Sequence, residues 1–210
     1  MYKLYYSPGA CSMAIHVILN EIGASVQLEN VSIKEGKNRS PEFLKVNPRG
    51  QVPVLIEGSH VMREGGAIIV YLCDKHKSNL LPREGLPRAE ALEWLMFCNA
   101  TLHPAYSRAF WLMKKAGEVQ GKDQMLKMAA DWINQLWQEV EQRLSTHAYL
   151  CGDAPTAADI LLTVIANWSG NIPQPITIGP KTRALFGKIV QRSAYQKALQ
   201  AEQVEYKMAS

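Results

Sequence analysis

The chain has 210 residues, of which 47% are apolar and 20% charged, with 23 basic and 19 acidic residues and a formal net charge of +4. This is the composition of a globular chain able to bury a core, and it excludes a disordered one. The longest basic run is Lys114-Lys115, so the excess charge reads as a solvated surface rather than a nucleic-acid footprint.

The N-terminus carries no apolar run behind a basic start, so no secretory signal is expected. No stretch nears the roughly 18 apolar residues of a membrane span, and no membrane partner is expected. Cys11, Cys73, Cys98 and Cys151 stand far apart, without CxxC, metal-ligand or disulfide-framework spacing. The expectation is a cytoplasmic protein with free thiols and no metal.

In chain order, Lys3-Leu4-Tyr5-Tyr6 is a β-prone run that stops at Ser7-Pro8-Gly9. A helix follows from about Cys11 to Ile22, with Ala14, Val17, Ile18 and Ile22 on one face and Gly23 as its stop. Val26 to Ile33 reads as a second strand. Ser40-Pro41 supplies an N-cap and a first-turn proline for a short helix through Val46. Val52 to Ile56, a turn at Glu57-Gly58-Ser59, and His60 to Met62 form a hairpin, and a helix from about Glu64 to His76 closes the unit. The order β-α-β-α-β-β-α is that of a thioredoxin-like α/β domain, assigned to residues 1–80.

Breakers and polar residues between His76 and Pro87 read as a linker. Beyond it, residues 88–210 are expected to form an all-helical domain. One long helix should run from about Arg88 toward Lys115, carrying Leu92, Leu95, Met96, Leu102 and Phe110. A second, from about Lys122 to Ser145, should carry Met125, Met128, Ile133, Leu136, Val140 and Leu144. Thr156-Ala157-Ala158-Asp159 has the form of a capping box before the apolar run Ile160 to Trp168, a structural role worth about 1 kcal/mol.

Three places carry candidate chemistry. Cys11 lies where a strand hands over to a helix, and a thiol in a first helical turn feels N–H donors and the macrodipole, both of which lower its pKa. The alternative is a small cysteine packing that junction. Pro53 opens a strand directly after Val52 and is a candidate cis-proline, which would leave the Val52 N–H and C=O free to pair with a peptide-like ligand. An ordinary trans proline at an edge is the other reading. Glu64-Gly65-Gly66 opens a helix whose N–H groups suit a carboxylate, with Glu64 placed to meet an ammonium; plain helix capping is the competing role. His103, on the long helix, has only the role of a packed or capping histidine on its own.

Together these segments resemble the cytosolic glutathione transferases, specifically the bacterial beta class. Tyr5 to Ser12 with His16 is similar to its N-terminal signature, and Asn47-Pro48-Arg49-Gly50-Gln51-Val52-Pro53 to its cis-proline segment. Glu64-Gly65 with Ala67-Ile68 is similar to its γ-glutamyl site, and Glu93-Trp94-Leu95 with Leu102-His103 to a helix of its second domain. Thr156 to Asp159 with Trp168 is similar to its core helix. Thr101 and Pro104 depart from the class pattern and leave substrate choice open.

The resemblance implies glutathione as substrate, with no other cofactor. The peptide would lie along Val52 and Pro53, its γ-glutamyl group at Glu64 and Gly65, and Lys34 or Lys37 would reach it. Its sulfur would sit near Cys11, with His103 approaching from the second domain as a further catalytic residue. A small hydrophobic electrophile would lie between the domains against Tyr106 and Phe110, and the chain would form a homodimer. Conjugation is the main activity implied. A thiol-disulfide reductase or peroxidase working through Cys11 is one alternative, and a non-enzymatic glutathione-binding or scaffold protein is another.

Overall fold

The structure, a computed structural model, describes residues 1–115 and 120–208. Four strands, β1 (Tyr2–Tyr6), β2 (Val26–Asn30), β3 (Val54–Glu57) and β4 (His60–Met62), form one mixed sheet in the order β2-β1-β3-β4. β1 is parallel to β2 and antiparallel to β3, and β3 is antiparallel to β4. The parallel pair requires a crossover, which helix α1 (Ser12–Glu21) supplies. The β3–β4 hairpin turns on two residues, and Gly58 takes the positive φ of 57° that such a turn needs.

Helices cover both faces of the sheet. Tyr2, Leu4 and Tyr6 alternate inward from β1 onto α1 and α3 (Gly65–Lys75), while Tyr5 faces the other way, its ring 5.4 Å from that of Phe43. Phe43 belongs to α2 (Pro41–Val46), where the Ser40 hydroxyl caps the helix by accepting from the Phe43 N–H at 3.2 Å. Val31, Phe43, Val52 and Val54 form a small second cluster on this face.

The helical half comprises α4 (Gly85–Met96), a π-helical turn (Phe97–Leu102), α5 (His103–Lys115), α6 (Lys122–Leu144), α7 (Ala157–Ala166), α8 (Pro180–Val190) and α9 (Ser193–Glu202). The long helix expected from Arg88 is thus a continuous run from Gly85 that a wider turn interrupts before His103. Met125 and Met128 do not face inward as expected; they are exposed, and Leu126 and Ala130 take the inner face of α6. The register is set by packing on α5, one step away from the phase the methionines suggested. The expected linker is also more than a tether: Leu80 and Leu81 are buried, and the Leu80 carbonyl accepts from the Ala157 N–H at 2.8 Å.

The two halves share one core. Every residue from Ser12 to Leu19 is buried, so α1 is not the one-faced helix the sequence pattern predicts. The sheet and α3 cover one side of it, and α7 and α9 cover the other.

The capping box forms at α7. Asp159 is fully buried and accepts from the N–H of Leu150 (2.9 Å), the N–H of Thr156 (2.7 Å) and the Thr156 hydroxyl (2.9 Å). Removing its carboxylate leaves these donors buried without an acceptor, and bonds to a charged acceptor are worth about 1.5–3 kcal/mol each. Asp159→Ala should therefore lower unfolding free energy by about 3 kcal/mol or more, read as a lower urea midpoint at unchanged slope. A loss below about 1 kcal/mol would contradict this role.

Candidate active site

The loop from Ser7 to Ala10 carries β1 into α1 and is held at every residue but Pro8. The Ser7 hydroxyl accepts from the Ile33 N–H at 3.0 Å, and the Ala10 N–H returns to the Ser7 carbonyl at 3.0 Å. Gly9 takes a φ of 69°, open to glycine without strain. Its N–H donates to Glu202 Oε2 at 3.0 Å, and its carbonyl accepts from Trp168 Nε1 at 2.7 Å. Glu202 Oε1 pairs with His16 Nδ1 at 2.9 Å, both side chains being buried. His16 thus serves a structural role 186 residues away from its partner.

Cys11 follows as the residue ahead of α1, and its Sγ donates to the Val52 carbonyl at 3.5 Å. The expectation of a depressed pKa is not met. The N–H groups of Cys11 and Ser12 do lower it, but burial outweighs them and pushes the thiol up to about 11. At neutral pH the side chain is a protonated thiol, and a hydrogen-bond donor.

The segment from Asn47 to Pro53 is pinned to the chain before it. Asn38 Nδ2 donates to the Gly50 carbonyl and Asn47 Nδ2 to the Gln51 carbonyl, both at 2.7 Å. Gly50 has a φ of 63°, and a Cβ there would lie 2.8 Å from both the Asn38 carbonyl oxygen and Arg39 Nη1, so no larger residue fits. The Val52–Pro53 peptide is cis, as the sequence reading proposed. Beyond it, Glu64 precedes the α3 N-terminus without capping it, and Glu64 Oε1 accepts from Arg49 Nη1 at 2.7 Å. That pair is solvent-exposed and holds little energy.

These segments enclose a cavity of about 640 Å³. Cys11, Lys34, Val52, Pro53, Glu64 and Gly65 line it from the sheet side, and His103 and Phe110 face them from α5. Lys37 lies outside, paired with Glu35 at 2.7 Å, so of the two lysines Lys34 is the one on the cavity.

Tyr106 is a correction. It does not line the cavity but is fully buried behind it, its hydroxyl accepting from Trp137 Nε1 at 2.8 Å and bonded to Ser169 Oγ at 2.6 Å. The helical phase puts Ser107, four residues after His103, on the cavity instead. The wall is aromatic: the Trp168 ring is 5.2 Å from His103 and 6.3 Å from Phe110. Burial lowers the His103 pKa, so this imidazole is neutral at pH 7.

Asn99, Ser107 and Asn171 also line the cavity and were not anticipated. Asn99 and Ser107 stand four residues either side of His103, a spacing that would have found them once His103 was placed. Asn171 sits in a short 3₁₀ turn (Ser169–Asn171) and carries no such signal.

The glutathione S-transferase N-terminal domain family model matches residues 1–74, and the C-terminal domain model matches residues 96–192. Glutathione S-transferase GST-4.5 of Xanthomonas campestris pv. campestris is 30% identical over 202 residues, covering 95% of this chain and 98% of its own. A sphingomonad glutathione S-transferase complexed with glutathione superposes with a TM-score of 0.82 at 32% identity, over 97% of this chain and 100% of the other. The bacterial beta class glutathione S-transferase of Sphingomonas chungbukensis gives a TM-score of 0.82 at 29% identity, with the same coverage. With two family models spanning most of its length and a near-full-length relative, the chain belongs to the glutathione S-transferase family.

Proposed function

We propose that this protein joins reduced glutathione to a small hydrophobic electrophile in the cavity between the sheet and α5, acting as a cytoplasmic homodimer. The observation that carries this reading is the convergence, in one cavity, of the Cys11 thiol, the Val52 main chain and the α3 N-terminus opposite an aromatic wall. An extended peptide can pair with the Val52 main chain as a short added strand. Its γ-glutamyl carboxylate suits the N–H groups of Gly65 and Gly66, and its ammonium the free oxygen of Glu64. Lys34 and the arginines on the cavity, Arg39, Arg49 and Arg63, complement a ligand with two carboxylates and one ammonium.

The chemistry follows from the protonated Cys11. Its S–H, now on the Val52 carbonyl, can turn to donate to the glutathione sulfur, and a donor on the charged form favours the thiolate. Neutral His103 supplies a second polar contact without an added charge. The glutathione thiol releases its proton to solvent, and the thiolate sulfur then attacks the electrophilic carbon, forming a C–S bond while the displaced electron pair leaves with the leaving group. Phe110, Trp168, Ser107 and Asn171 bound the compartment for that partner, aromatic with polar edges, and positioning there supplies the remaining rate enhancement. The raised Cys11 pKa weighs against a redox cycle through that residue, because the attacking species in thiol-disulfide exchange is the thiolate.

Two measurements test the reading. By calorimetry the wild type should bind reduced glutathione, and Cys11→Ala should retain binding within about tenfold, the loss of one hydrogen bond. No binding to either protein would overturn the proposal. Alkylation of Cys11, followed by peptide mass spectrometry across pH, should show a midpoint above the roughly 8.5 of a free thiol. A midpoint below that value would contradict the protonated-donor role and return the redox reading.

A further inference from the structure

The cavity is more basic than glutathione alone requires. Lys34, Arg39, Arg49 and Arg63 line it, and among the described residues Glu64 is the one carboxylate that does. Cys11 is protonated and His103 neutral, so neither alters that surplus. Glutathione brings two carboxylates and one ammonium, with a further negative charge as its thiolate. Four cations against one carboxylate leave three positive charges, and the doubly negative glutathione thiolate cancels two of them. The loaded cavity therefore stays positive when the second substrate arrives, and a cleft of one sign gathers ligands of the other.

The outer end of the electrophile compartment carries another cation. His103, Ser107 and Phe110 line the cavity from one stripe of α5. Lys114 continues that stripe, four residues beyond Phe110 and seven beyond Ser107. It is exposed, and among the described residues it makes no hydrogen bond or ion pair. Four residues advance a helix by about 6 Å. Helical side chains lean toward the N-terminus, which carries the Lys114 ammonium back toward the wall formed by Phe110 and Trp168. Trp111 lies within a turn of both Ser107 and Lys114 and is 62% exposed. A flat apolar ring and an unpaired ammonium thus flank the outward end of the stripe.

Resting on the glutathione-transfer reading above, we propose that the electrophile is an aromatic anion, its ring against Phe110 and Trp168 and its acidic group at Lys114 beside Trp111. Its reacting carbon then faces the glutathione sulfur. For an aryl halide, the sulfur bonds to the ring carbon, the halide leaves with the electron pair of the broken bond, and the thiol proton goes to solvent. The acidic group takes no part in these bond changes, so Lys114 governs which substrate is chosen rather than how it reacts.

The test is kcat/KM for 4-chloro-3,5-dinitrobenzoate and for its methyl ester, each divided by its uncatalysed rate constant with glutathione. The two probes share the reacting carbon and differ in charge at the far end of the ring. The wild type should favour the carboxylate, and rising ionic strength should shrink that preference. Lys114→Gln should lower the carboxylate-to-ester ratio about two- to fivefold, the range for an exposed ion pair. Lys114→Glu should lower it about tenfold, because a like charge then meets the carboxylate. Turnover of the ester reports a folded variant. A wild-type preference for the ester, or a ratio unchanged in both variants, would overturn the inference and leave glutathione transfer standing. Glutathione binding without turnover of either probe or of 1-chloro-2,4-dinitrobenzene would overturn the transfer reading and the inference with it.

Discussion

One peptide unit ties the molecule together. Gly9 is gripped from both sides by the helical half, its N–H by Glu202 at the end of α9 and its carbonyl by Trp168 just beyond α7. Glu202 is 3% exposed, so its carboxylate is compensated inside the protein, by the Gly9 N–H and His16, rather than by water. Because Cys11 follows two residues later, the helical half sets where the thiol stands on the sheet half. The same Trp168 ring packs against His103 and Phe110, so one side chain fixes the loop and forms part of the opposite wall. Burial of α1 between the two layers joins the halves through one shared core.

That clamp also explains the state of the thiol. A helix N-terminus lowers a thiol pKa only while the group keeps some access to water or a counter-charge. At Cys11, which is only partly exposed where it lines the cavity, packing removes much of the water, and the charge of Glu64 acts in the same direction as burial. The two local donors cannot offset both. The outcome is a thiol that stays protonated at neutral pH and so acts as a hydrogen-bond donor.

What could be read from the sequence was local. The hinge at Ser7-Pro8-Gly9, the Val52-Pro53 step, the glycines opening α3 and the capping box at Asp159 are each determined by a few adjacent residues. The features that escaped depend on packing between distant segments. Tyr106 and Ser107 are neighbours, and only the phase of α5 after its π turn decides which one faces the cavity. Met125 and Met128 gave way to Leu126 and Ala130 for the same kind of reason. The all-round burial of α1, the pairing of His16 with Glu202 and the raised Cys11 pKa all require the second half to be in place. Asn99 carries no motif of its own and becomes legible only through its four-residue spacing to His103, once that histidine is placed on the cavity.

The most direct single measurement is a crystal structure of the protein with reduced glutathione. The expected result is a peptide extended along Val52, its sulfur within hydrogen-bonding reach of Cys11 Sγ and its γ-glutamyl carboxylate at Gly65 and Gly66. Gly9 should remain bonded to both Glu202 and Trp168. A peptide bound elsewhere, or a loop that releases either of those bonds to admit it, would contradict a preformed glutathione cavity held by the helical half.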